Sequence, residues 1–143
     1  MWPSGVAAFP TMTAPLSDSL RLELDVPAEA RVGLPLPITL RVENAGDRPI
    51  DLYLRGRTIA FDIVVRREDG EVVWRRLEHE VIPAILRLET LAPRQVLELH
   101  TEWNLETGTG SPVPPGSYVV QGTLLTEGPE LSTPLVTLRV NRR

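Results

Sequence analysis

Cysteine and lysine are both missing from this sequence of 143 residues. Without cysteine there can be no disulfide, no thiolate metal ligand and no cysteine nucleophile, so stability must come from packing, as suits a reducing cytoplasm. All fifteen basic residues are arginines, scattered among nineteen acids to leave a net charge of −4. No basic block or arginine stripe emerges, which argues against nucleic acid as a partner, since phosphate binding needs a concentrated positive field. Long apolar runs are lacking too. Nothing approaches the ~20 apolar residues of a membrane-spanning helix. The apolar piece at residues 6–9 is too short for a signal peptide, and no basic residue precedes Arg21. The expectation is a soluble, cytoplasmic chain with no membrane partner, exported only if an upstream signal precedes it.

What is present is ordinary globular composition, 42% apolar and 24% charged, in a chain long enough to bury about two thirds of its unfolded surface as one domain. Pro3, Pro10 and Pro15 make the start a poor helix and a poor central strand, so residues 1–19 read as an arm and 20–143 as a single domain. From Leu20 the pattern becomes strict alternation. Leu20, Leu22, Leu24 and Val26 take turns with Arg21, Glu23 and Asp25, and the same rhythm returns at Leu36, Ile38, Leu40 and Val42. That is period two, the mark of half-buried strands.

Further strands follow at Ile50, Leu52 and Leu54, at Ile59, Phe61, Ile63 and Val65, and at residues 72–74. The Asp69-Gly70 step between the last two is a tight-hairpin signal. Residues 78–91 fit neither period, and Pro83 argues against a helix interior, so an irregular crossover with a short strand at 85–89 is expected. Alternation resumes over Leu97, Leu99, Thr101 and Trp103, then a long loop at 104–116, and strands at 117–125 and 133–140 joined through Gly128-Pro129 close the chain. Eight or nine short strands, no helix and regularly spaced turns predict an all-β, immunoglobulin-like antiparallel sandwich.

The chemistry-bearing residues are few. His100 lies between Glu98 and Glu102 on the polar side of a predicted strand, a pattern shared by a weak metal site and a solvated charged face. No serine sits in a Gly-x-Ser-x-Gly setting; Ser111 and Ser117 lie in or beside a Pro-rich loop. Asp62, between Phe61 and Ile63, has no evident acid-base partner, and Trp74 and Trp103 read as core aromatics spanning two sheets. Neither an enzyme nor a cofactor or metal is expected. Two segments suit protein recognition instead. The first is Asn104, Leu105, Glu106, Thr107, Gly108, Thr109, Gly110, Ser111, Pro112 and Val113, in a loop stiffened by Pro112, Pro114 and Pro115, so that docking it costs less ordering entropy. The second is the turn carrying Arg55, Arg57 and Thr58, because arginine is enriched at interfaces.

Residues 36–47 (LPITLRVENAGD), Phe61-Asp62-x-Val64, Asp69-Gly70-x-Val72-Val73-Trp74-Arg75, Leu91-Ala92-Pro93, Trp103 and residues 113–122 (VPPGSYVVQG) occur in an order that resembles the intracellular proteinase inhibitor (BsuPI-type) family. The likeness covers about residues 20–125. It departs at Arg94-Gln95, where Gly-Glu is frequent, and in the arm before Leu20. The resemblance implies an immunoglobulin-like sandwich and, for the founding members, inhibition of intracellular subtilisin-like serine proteases; for this chain a non-covalent inhibitor of such a protease is the expectation. A structural or adhesive immunoglobulin-like module without inhibitory activity is the alternative.

Overall fold

A computed structural model describes residues 19–56, 61–128 and 130–142. Eleven strands run in chain order: β1 Leu20–Asp25, β2 Glu29–Arg31, β3 Leu36–Asn44, β4 Ile50–Arg55, β5 Phe61–Arg67, β6 Val72–Arg75, β7 Leu86–Leu91, β8 Val96–Trp103, β9 Gly116–Leu124, β10 Leu131–Ser132 and β11 Val136–Asn141. Every expected strand is present. Ile59 and Pro129 fall outside the described residues, as does the arm up to residue 18. The two additions, β2 and β10, are three and two residues long, too short to show a period. One departs from the antiparallel expectation, for β2 pairs β11 in parallel while all other pairs are antiparallel. The last strand starts at Val136 rather than Thr133. Thr133 is instead bonded out of line, its amide and hydroxyl both engaging Gly122, and Pro134 follows it.

One sheet has the order β1-β3-β8, and the other runs β2-β11-β9-β5-β6 with β10 beside β9. A separate ribbon, β4-β7, is tied to the end of the larger sheet through the Leu54–Thr126 bridge and the bonds Arg55 N–H to Leu125 O and Glu127 N–H to Tyr53 O. Among the described residues no helix is long and apolar enough to cross a membrane.

Alternation sets the core. Ile38, Leu40 and Val42 of β3 are buried, as are Ile63 and Val65 of β5, Val120 and Leu124 of β9, and Leu138 and Val140 of β11. The alternate residues on the other face are half-buried or exposed, apart from Val64 of β5, which is how a sandwich uses period two. Gly122 of β9 faces the leucines of the smaller sheet at close range. A β-carbon there would lie 3.0 Å from Leu24 Cδ1 and 3.3 Å from Leu40 Cδ1.

Aromatics close one end. Trp103 is fully buried, stacks on half-buried Trp74 with centroids 5.6 Å apart, and meets the Tyr118 ring edge-on at 6.4 Å. The Tyr118 hydroxyl donates back to Pro114 O, four residues upstream at the start of β9. That is the tyrosine corner of immunoglobulin-like sandwiches. The chain is accordingly an all-β immunoglobulin-like sandwich.

Candidate protein-binding loop

Residues 104–113 leave β8 directly beneath Trp103. Leu105 and Val113 are both buried, and the Val113 amide donates to Leu105 O at 2.9 Å, so the two ends of the loop are pinned together. Within them Glu106 and Pro112 form a bridge, and the Thr107 amide donates to Ser111 O at 2.7 Å. The loop is a miniature hairpin. Its turn follows from Gly110, whose φ of +91° suits a residue without a side chain, and from the Gly110 amide donating to Thr107 O.

Three further bonds fix the hairpin to the body. Trp103 Nε1–H donates to Glu106 O at 2.9 Å, the Gly108 amide donates to Val73 O at 3.1 Å along the β6 edge, and the His79 ring nitrogen Nε2 lies 3.4 Å from Gly108 O. Glu78 presses on Gly108 so closely that a β-carbon there would come within 2.6 Å of its carboxylate. Leu105 itself takes φ +60°, a left-handed conformation that costs an L-residue about 1–2 kcal/mol and persists because burial over-determines it. Asn104, Glu106, Thr109, Gly110, Ser111 and Pro112 are exposed, with Thr107 and Gly108 half-buried. The outcome is an exposed, internally bonded tip with two apolar roots.

Glu78 and His79 belong to this surface although nothing in their local sequence marks them. They lie about thirty residues from the loop, brought there only by the β6 turn. Leu105 and Val113, two of the candidate recognition residues, belong to the core. Of the second segment's candidate residues, only Arg55 falls within the described residues. Arg55 ends β4 and its Nε–H donates to Thr126 O at 3.0 Å; Arg57 and Thr58 lie outside the described residues.

The other singled-out side chains have structural partners. Asp62 Oδ1 accepts the Leu77 amide at 3.0 Å and Oδ2 lies 3.6 Å from Arg75. Glu98 is held by Arg41 Nε at 2.7 Å, a bond that raises the Arg41 pKa above its ordinary value, with the same carboxylate's charge, Asp25 and Glu23 adding to it. His100 Nδ1 lies 3.0 Å from Thr39 Oγ1. Among the described residues no group of three or more His, Asp or Glu side chains is placed to hold a metal ion.

Among solved structures, the chain is similar to the alkylpurine DNA glycosylase AlkC of Pseudomonas fluorescens bound to DNA containing an abasic site analog (16% identity, 86% of this chain, 30% of that one, TM-score 0.49). It is also similar to a β-glucosidase of Listeria innocua in complex with glucose (12%, 85% and 16%, 0.48) and to the CARDB domain of the PF1109 protein of Pyrococcus furiosus in complex with di-metal ions (14%, 85% and 87%, 0.45). The chain therefore spans less than a third of the first two. No curated protein matches it. The sequence profile of the intracellular proteinase inhibitor family matches residues 21–129, well over half the chain and inclusive of the whole 104–113 hairpin, and so the protein belongs to the intracellular proteinase inhibitor (BsuPI) family.

Proposed function

We propose that this protein inhibits a cytoplasmic, subtilisin-like serine protease without covalent chemistry, and that the 104–113 hairpin is the element that enters the protease cleft. Family membership supports a proteinase-inhibitor-like module with a protein partner. The observation that carries the choice of loop is its preorganisation. Both roots are buried, the strands of the hairpin are bonded to each other, and the tip is bonded to β6 before any partner arrives. A loop already in its bound shape loses little conformational entropy on docking, and such an interface buries roughly 800 Å² on each side.

The direct test is inhibition of a panel of purified serine proteases by the full chain, with Thr109→Arg as a tip variant whose exposed position leaves the fold intact. Inhibition at or below micromolar concentration, weakened at least tenfold by Thr109→Arg, is expected. Absence of inhibition across the panel would refute the function, and inhibition untouched by tip substitutions would refute the loop.

A further inference from the structure

The β4-β7 ribbon has its amphipathic faces in an unusual order. Register places Tyr53 opposite Leu88, Arg55 opposite Leu86 and Asp51 opposite Thr90, so these six side chains share the outer face. Thr90 Oγ1–H donates to Asp51 Oδ1 at 2.8 Å across it. Tyr53, Leu86 and Leu88 are 48%, 48% and 52% exposed, while the alternate residues of β7, Arg87 and Glu89, lie half-buried on the opposite face and pair with each other at 3.3 Å. A strand that shows its leucines to water and keeps a half-buried ion pair on its other face is phased for a partner on its outer side.

The edge of the ribbon is phased the same way. The Gly56 amide donates to Ile85 O, so Ile85, Arg87 and Glu89 turn their peptide groups toward β4, and those of Leu86 and Leu88 point to the open edge by alternation.

We infer that this face is the contact between two copies of the chain, packed ribbon on ribbon about a two-fold axis that crosses the strands at the level of Tyr53. The face is self-complementary under that operation. Apolar Tyr53, Leu86 and Leu88 occupy the middle, Asp51 stands two residues to one side and Arg55 two residues to the other, so reversal sets each aspartate over the second copy's arginine. Isologous contacts require such a self-matching patch.

Its size sets the strength. Three half-exposed large side chains and their rim come to roughly 500 Å² per copy, about 1,000 Å² in total, the lower bound for a specific interface. An interface of that size sits at the weak, transient end of the range.

Analytical ultracentrifugation of the full chain from about 1 µM to 1 mM tests it. Monomer giving way to dimer across that range is expected, with Leu88→Arg monomeric throughout. Asp51→Arg should weaken association at least tenfold by facing arginine with arginine, and the double variant Asp51→Arg/Arg55→Asp should recover it to within about threefold. Melting temperatures check that each variant folds, and Leu86→Glu serves as a second apolar-to-charged probe. A chain monomeric at every concentration, a dimer that survives Leu88→Arg and Leu86→Glu, or no recovery in the charge-swapped double variant would each overturn the proposal. So would dimerisation appearing only after removal of residues 1–18, which would mean that the chain's own N-terminal segment covers the ribbon.

Discussion

A single buried amide organises one end of the molecule. Asn44 is fully buried, and its Nδ2 donates to Arg48 O at 2.7 Å and to Leu91 O at 3.0 Å while Oδ1 accepts the Gly46 amide at 2.9 Å. It joins the end of β3 to the end of β7. Asn44→Ala would leave these backbone groups without partners away from water, and a loss of about 2–3 kcal/mol is expected, read as a lower denaturation midpoint at unchanged slope. Tyr118 makes a pH-dependent contribution. Burial raises its phenol above the ordinary 10, against a weaker pull downward from Arg67. The unfolded chain then releases this proton at lower pH than the folded one, so the contribution is complete below pH 10 and disappears as pH rises through the folded-state value. Tyr118→Phe should cost about 1 kcal/mol at neutral pH, through the unpaired Pro114 carbonyl, and remove this part of the alkaline loss in a series of urea melts.

The 104–113 hairpin depends on what lies beneath it more than on its own sequence. Trp103→Phe keeps most of the buried ring but deletes the donor to Glu106 O; a fold retained with at least tenfold weaker protease inhibition is expected, the two read by near-ultraviolet circular dichroism and by inhibition titration. Gly110→Ala forces a side chain into φ +91° with no neighbour in its way, so any cost, about 1 kcal/mol, is backbone strain alone. This dependence explains what the sequence revealed and what it hid. Strands β1, β3, β4 and β8 were legible because alternation is a local property with one face against the core. The loop's length and prolines were legible too. That Leu105 and Val113 are roots rather than tip was not, because no period runs through a hairpin this short. Alternation would also turn Leu86 and Leu88 of β7 inward. The register with β4 puts them outside, since Leu52 and Leu54 face the core opposite Glu89 and Arg87. Strand β2 escaped because three residues carry no rhythm and its partner β11 lies more than a hundred residues away.

Across the whole molecule, the hairpin and the ribbon sit at opposite ends of β9. The strand begins at Gly116, just after the hairpin, and ends at Leu124, just before residues 125–127 that bond β4. Eight steps of about 3.3 Å separate these ends by roughly 26 Å. At that distance, with no shared partner, perturbations at the two surfaces should act independently. Thr109→Arg should therefore weaken protease inhibition while leaving the association constant within about twofold, and Leu88→Arg should do the reverse. The double variant should show both losses at their single-variant sizes. A loss of inhibition in Leu88→Arg at concentrations where the chain is monomeric would mean that the ribbon touches the protease, and that the partner surface extends over both ends of the sandwich. Equal inhibition by monomer and dimer, per chain, would instead show that ribbon-to-ribbon packing leaves both hairpins open, so that one dimer can hold two protease molecules.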